Sequence, residues 1–226
     1  MNIAVFSDKF AGTLSATEVL EIVQDKFLDS NIHADLFSVT DGGQESSRIF
    51  NSYNFQTHES FETLNSDNEL SAVESLNINQ SIFFESAQLI GIDTEKESMS
   101  INSGCLLEAL QKTEVLGTGG SKTIDFGIGL LSKLGMEFIS NGETIVNPVP
   151  KDFPSIDRIK TTNFKSNLKN KVLSDTQISL LGENSAFDVF GPQKGLSGKD
   201  IEKHKLEVER LIALIDKRAC FRFKSN

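Results

Sequence analysis

The chain is short of basic charge, of paired cysteines and of long apolar runs, and each shortage removes a class of function. Its 22 Lys and Arg stand against 32 Asp and Glu, for a formal net charge of −10. A protein without a basic excess gains little from counterion release, so a nucleic-acid footprint is not expected. The two cysteines, Cys105 and Cys220, lie far apart, and no cysteine pair has the spacing of metal ligands. The first residues, MNIAVFSD, put no basic segment before a long apolar run. No stretch approaches the roughly 20 apolar residues that cross a bilayer. A cytoplasmic location is expected. There is no repeat of fixed period.

What is present is enough chain, 226 residues, for one large domain or two small ones. Asn2–Phe6 is a short apolar run, followed by a turn at Gly12 and by Ser15 and Glu18 at the spacing of a capping box. A helix is predicted over about 16–27, with Val19, Ile22, Val23 and Phe27 on one face. His33–Val39 reads as a second strand, stopped by Asp41-Gly42-Gly43, and a second helix runs to about Phe50. This alternation predicts an α/β fold with a parallel sheet, whose ligands gather at the carboxyl ends of strands. Asp8 and Asp41 fall there.

Further on, residues 55–79 are polar with weak strand signals, and are expected to be a surface hairpin or linker. Ser81–Glu85 is a strand, Gly104–Gln111 a helix, Glu114–Leu116 a strand and Thr123–Leu134 a helix. Strands at Met136–Ile139 and about Lys171–Ser174 flank a loop marked by Pro148, Pro150 and Pro154. A last amphipathic helix is predicted from about Lys199 to Lys217, aligning Ile201, Val208, Leu211, Ile212 and Ile215.

The densest motif is GTGGSKTIDFGIG at Gly117–Gly129, with five glycines around Ser121, Thr123 and Asp125. Glycines let a ligand approach the main chain, and bare amides before a helix form an anion nest. It matches neither a P-loop nor a clean dinucleotide fingerprint.

Several motifs together resemble the bacterial glycerate kinases. SDKFAGTLSA (Ser7–Ala16) is similar to the family's P-D-S/K-F-K-G-S/T-L-S/T-A, and TDGG (Thr40–Gly43) to A-D-G-G-E-G-T. FESAQLIGI (Phe84–Ile92) is similar to I-E-M-A-x-A-S-G-L. GTGGSKTIDFGIGLLSKLG (Gly117–Gly135) resembles G-I-G-G-S-A-T-N-D-G-G-A-G-M-L-x-A-L-G, and VFGPQKG (Val189–Gly195) matches V/I-F-G-P-Q-K-G without a break.

The resemblance implies a Rossmann-like domain with a parallel or mixed sheet, of which residues 1–55 are the N-terminal part. It implies a second α/β domain over 56–226, and an ATP and glycerate site in the cleft between the two. Phosphoryl transfer needs amides or cations around the phosphates, usually Mg²⁺, and a carboxylate for the attacking hydroxyl. In that reading Gly117, Gly119, Gly120, Ser121, Thr123 and Gly127 hold ATP. Asp8, Gly42, Gly43, Glu85 and Gln193 face the substrate. Lys194 is a cation for phosphate or for the glycerate carboxylate, and Asp41, Asp125 or Asp175 is the base or the Mg²⁺ ligand, with the three roles unassigned.

Plainer readings stand beside these. Asp8 and Asp41 close turns as Asx caps, Asp125 complements a helix dipole, and Glu85 is a strand-end charge. His33, His58 and His204 match no motif and are expected at the surface. Cys105 is expected to be a small core residue.

Departures from the pattern also count. Ala11 stands at the usual lysine, and Gln44-Glu45-Ser46 replace E-G-T. Lys122, Ile124 and Phe126 line a motif where small or polar residues are common, Phe126 being expected to crowd the nest. Ser174–Ser179 resembles a worn C-D-V-x-N-P. Relatives continue through further glycine-rich segments, whereas this chain ends in RACFRFKSN. Two expectations follow. One is an ATP-dependent glycerate kinase, acting alone or with a second chain supplying the remaining part. The other is a catalytically inactive, truncated relative, either a binding or regulatory subunit or a gene fragment.

Overall fold

A computed structural model describes residues 3–10, 12–43, 45–53, 57–174 and 176–216. Asp175, Ala11, Gln44 and the terminal RACFRFKSN lie outside the described residues.

The chain opens with β1 (Ile3–Ser7), α1 (Ala16–Asp29), β2 (Ala34–Ser38) and α2 (Ser46–Ser52). The expected capping box closes the start of α1: the Ser15 side chain accepts from the Glu18 amide while the Glu18 carboxylate takes the Ser15 amide. Ala16 and Leu20 are buried on this helix, but Ile22, expected on the inner face, is half exposed. β1 and β2 pair in parallel, Ile3 with Ala34 through Ser7 with Ser38. Phe6 and Phe37 stack at 5.0 Å between ring centroids, and Phe6 is 64% exposed. A parallel sheet is ordinarily covered on both faces, so this aromatic face is unusually open.

Next come β3 (Thr57–Leu64), β4 (Leu70–Ile78), β5 (Ser81–Glu85), α3 (Ala87–Ile90), α4 (Leu106–Lys112), β6 (Val115–Gly117) and α5 (Ile128–Lys133). β7 (Glu137–Ser140), β8 (Glu143–Thr144), β9 (Arg158–Lys160), β10 (Lys171–Leu173), α6 (Ala186–Phe190) and α7 (Gly198–Asp216) complete the order. The main sheet runs β10-β6-β5-β4-β3, and a second one runs β8-β7-β9. β5, β6 and β10 are mutually parallel, while β3, β4 and β5 are antiparallel, giving a mixed sheet. The fold is therefore α/β.

The polar segment expected as a surface hairpin or linker is a hairpin, but one whose two strands extend the main sheet. Val73 and Leu76 on β4 are fully buried. Its alternation is hard to see because Ser75 occupies an inward position, at 1% exposure. Two hydrophobic cores result. One gathers Val73, Phe84, Ile101 and Leu110 on the main sheet, and the other Phe138, Phe153, Val208 and Leu211 around α7.

The largest difference from expectation lies after β6. The helix predicted from Thr123 begins only at Ile128. Phe126 and Gly127 sit at φ of 54° and 75°, left-handed values that a right-handed helix cannot contain. Residues 118–127 are consequently a loop.

Candidate functional site

The loops after β1, β2, β5 and β6 converge. Glu85 and Gly117 are register partners at the ends of β5 and β6. The turn Asp41-Gly42-Gly43 lies on the glycine motif, backbone against backbone. A Cβ on Gly117 would strike the Gly42 carbonyl oxygen, and one on Gly119 would lie 2.6 Å from the Gly43 Cα. These two motif glycines are required first by loop-on-loop packing.

Asp41 does what an Asx turn does, its Oδ1 accepting the Gly43 amide at 2.8 Å. The same oxygen lies 3.8 Å from Lys9 Nζ, and the side chain is exposed. Asp8 accepts the Lys9 amide at 2.7 Å and is half-buried. Glu85 is 4% exposed and receives the Ser47 amide at 2.5 Å. Burial raises its carboxyl to about 7, against the pull of the Ser47 hydrogen bonds and the Lys9 charge. Glu85 thus ties the start of α2 to the end of β5 from below, rather than facing solvent.

A cleft of about 580 Å³ opens beside this junction, lined by Lys9, Ser15, Glu45, Arg48, Asp93 and Gln193 among others. Gln193 is the expected substrate residue found in it. Arg48 and Asp93 were not legible as site residues, because no motif marks them and only the turn of α2 and the end of α3 bring them here. A larger cavity of about 690 Å³ lies elsewhere, near Lys96, Asn102, Cys105 and Lys133. Its charged groups carry both signs and include none of the expected site residues.

The glycine motif divides in two. Gly120 and Lys122 bridge to the 90–92 segment, the Ile92 amide bonding Gly120 O and the Lys122 amide bonding Ile90 O, each at 2.8 Å. Lys122 Nζ turns away to Thr94 O. Gly119, Gly120 and Ser121 donate no amide to another described residue, and Gly120 is exposed. Neighbouring amides without an internal acceptor are the material of an anion nest.

The downstream half is occupied by the protein itself. Asp125 is 1% exposed, and its two oxygens accept from the Ser103 amide at 2.8 Å, the Gly127 amide at 3.0 Å, the Gly129 amide at 3.2 Å and the Thr123 hydroxyl at 3.1 Å. It clasps the start of α5 to the turn before α4. Lys194 Nζ donates to Thr123 O at 2.9 Å beside a 170 Å³ cavity walled by Phe126, Phe187 and Phe190. Burial lowers this ammonium to about 8, with Asp125 pulling the other way. Ile124 and Phe126 pack into the α7 core instead of crowding the amides upstream.

Two smaller expectations come out differently from each other. Cys105 packs partly buried against the main-sheet core, and burial, aided by Asp125, pushes its thiol up to about 12, as suits an inert core residue. His204, expected at the surface, is instead 3% exposed. It lies at the i+3 position from Ile201 and the i−4 position from Val208, on the apolar stripe of α7, which is the signal that marks it as a core residue.

The elements and loops define an α/β protein in which a glycine-rich loop packs on the turn after β2, beside a polar cleft. Comparison with known proteins gives the family: a match to the glycerate kinase family spans residues 3–225, and the chain belongs to that family. It is 25% identical to the glycerate kinase of Neisseria meningitidis serogroup B over 219 residues, covering 89% of this chain and 59% of that protein. It is 25% identical to the glycerate 2-kinase of Escherichia coli K12 over 216 residues, covering 87% of this chain and 56% of that one. A crystal structure of a candidate glycerate kinase 2 from Salmonella typhimurium LT2 shares the fold, with a TM-score of 0.65 at 21% identity, over 96% of this chain and 63% of the other. The chain therefore spans about three fifths of these relatives.

Proposed function

We propose that this chain carries the phosphoryl-transfer site of a glycerate kinase, moving the γ-phosphoryl group of ATP to a hydroxyl of D-glycerate in the cleft between residues 1–55 and the rest. The observation that carries the reading is the seating of Gly42-Gly43 on Gly117 and Gly119, which brings a carboxylate turn against a loop whose amides meet no acceptor among the described residues. The amides of Gly119, Gly120 and Ser121 hold phosphate oxygens, and Lys9 and Arg48 supply positive charge at the cleft. The glycerate oxygen attacks the γ-phosphorus, the bond to the β,γ-bridging oxygen breaks, and ADP leaves. Asp41, exposed at the turn that seats on the glycine motif, receives the hydroxyl proton. The relative named glycerate 2-kinase supports the 2-hydroxyl as acceptor. Asp125 acts through the loop that it clasps, and Lys194 holds the same loop at the Thr123 carbonyl.

The family implies ATP with Mg²⁺. Among the described residues no three His, Cys, Asp or Glu side chains form a metal-holding group. Mg²⁺ that arrives on nucleotide phosphates keeps most of its waters and would need one or two carboxylates, for which half-buried Asp8 at the end of β1 is the proposed source. When bound, the ion would neutralise charge on the transferring phosphate. Among the described residues no helix is long and apolar enough to cross a membrane. The cytoplasm, which supplies ATP, is the proposed setting.

The test is ADP formation from ATP, Mg²⁺ and D-glycerate by the purified chain, with Asp41→Ala and Lys194→Ala as controls. Glycerate-dependent turnover lost in both variants supports the reading; no turnover at any glycerate concentration rejects it for this chain alone. A second reading, a binding or regulatory subunit, is favoured by the open Phe6–Phe37 face, which a second polypeptide would cover. Turnover appearing only after such a chain is added would decide for it.

A further inference from the structure

His204 stands on α7, in the core beneath the glycine motif, and no motif includes it. Its ring stacks on Phe153 at 5.2 Å and 17°, and meets Phe187 edge to face at 5.1 Å and 86°. Two aromatic contacts and burial fix the plane of the ring. In that orientation Nε2 lies 2.8 Å from the Ile124 carbonyl oxygen. A carbonyl only accepts, so Nε2 carries the proton.

The neighbouring carbonyl is held as well. Lys194 takes Thr123 O at 2.9 Å. Two consecutive carbonyls are therefore captured by side chains 71 and 80 residues downstream. Because a peptide unit is planar, holding each carbonyl also sets the following amide. The amide so set at Asp125 donates to the Thr123 hydroxyl. Upstream, the loop is anchored by the bridge to residues 90–92 and by Gly119 on Gly43.

We propose that His204 is a positioning residue: its Nε2 proton and Lys194 together form the downstream anchor of the 118–127 loop, and so hold the amides of Gly119–Ser121 in place for phosphate. The assignment of those amides to phosphate rests on the proposed function; the anchor itself does not. The charged groups acting on the ring are Glu207 on its own helix, itself paired with Arg210 at 2.9 Å, and Asp125 in the loop. Both favour the imidazolium, but burial outweighs them and holds the ring below its usual range. Protonation adds a second N–H that has no acceptor among the described residues and buries a charge; although the charged ring holds the Ile124 carbonyl more strongly, the core that carries the anchor is destabilised as pH falls.

The experiment is amide hydrogen exchange over residues 118–127 in wild type, His204→Phe and His204→Gln, between pH 5 and 8 and corrected for intrinsic rates. The phenyl ring keeps the stacking and loses the donor; glutamine keeps a donor and cannot titrate. Protection is expected to fall about tenfold in His204→Phe, the size of one net hydrogen bond, and to stay near wild type in His204→Gln at pH 7.5. Toward the acid end of that range wild type should lose protection and His204→Gln should not. Protection in His204→Phe within about twofold of wild type overturns the proposal, and so do identical pH profiles for wild type and His204→Gln, which decide the matter should His204→Phe fail to fold. Binding of a non-hydrolysable ATP analogue to wild type is measured alongside. Its absence rejects the kinase reading and leaves the anchor standing.

Discussion

Gly43 and Gly119 meet so closely that a methyl group on Gly119 would lie 2.6 Å from the Gly43 Cα, and one on Gly43 would lie 3.0 Å from the Gly119 Cα. No side chain can relieve either contact, because both neighbours are backbone. Gly119→Ala is therefore expected to separate the two loops and to cost about 1–3 kcal/mol, the usual range for overpacking. Urea denaturation reads the loss. Gly198→Ala, where an added Cβ meets nothing within 4 Å, should change stability by less than about 1 kcal/mol. Equal effects of the two substitutions would show that the loops do not pack in this way.

Glu85 makes stability fall as pH rises. Its folded carboxyl titrates near 7 against an ordinary 4.5, so between those values the folded state binds the proton that the unfolded chain has released. The burial penalty is absent below pH 4.5, grows through the window, and is complete above 7. The full span is on the order of 3 kcal/mol. His204 slopes the other way, since a depressed imidazole favours folding above its unfolded value of 6.5 and loses that contribution as pH falls through it. Comparing Glu85→Gln with wild type isolates the carboxylate: the variant should gain relative stability from pH 5 to pH 8. A constant difference across that range would contradict the assignment.

Asp125 offers a separation of chemistry from folding. Four hydrogen bonds end on its oxygens in a site only 1% exposed. Asp125→Ala strands the buried amides of Ser103 and Gly129 and the half-buried one of Gly127, and should destabilise the chain by about 3 kcal/mol or more. Lost turnover in that variant must accordingly be read beside its denaturation curve. Full stability in Asp125→Ala would remove the clasp as an explanation.

Lys194 predicts an alkaline limb. Its ammonium titrates near 8, so a reaction that needs the positive charge should decline as pH rises through that value. A kcat/KM profile in wild type should bend there, and in Lys194→Arg, which stays charged, the bend should move beyond pH 9. A wild-type profile flat from pH 7 to 9 would mean that the charge is not used.

Much of the architecture was legible in short-range pattern. The capping box at Ser15, the strand ending at Glu85 and the apolar stripe of α7 follow from residue spacing, because helix and strand periods act locally. The α5 boundary was not, since Phe126 adopts a left-handed backbone that nothing in its own identity announces and that packing against the α7 core supports. The β3–β4 hairpin read as peripheral because Ser75 fills an inward position that pattern reading reserves for apolar residues. His204 was read as a surface residue for want of a motif, although its place between Ile201 and Val208 pointed inward.

By itself the sequence determined the α/β alternation, the acidic balance and the motif order that marks the family, since these depend on residue identity and on neighbours a few positions away. The tertiary structure alone decided how the glycine motif is spent. Its first glycines accept another loop, its middle amides meet no acceptor among the described residues, and the Thr123 and Ile124 carbonyls and Asp125 are taken up by the turn before α4, Lys194 and α7. Those contacts span up to 80 positions of chain, a distance over which no local period carries information.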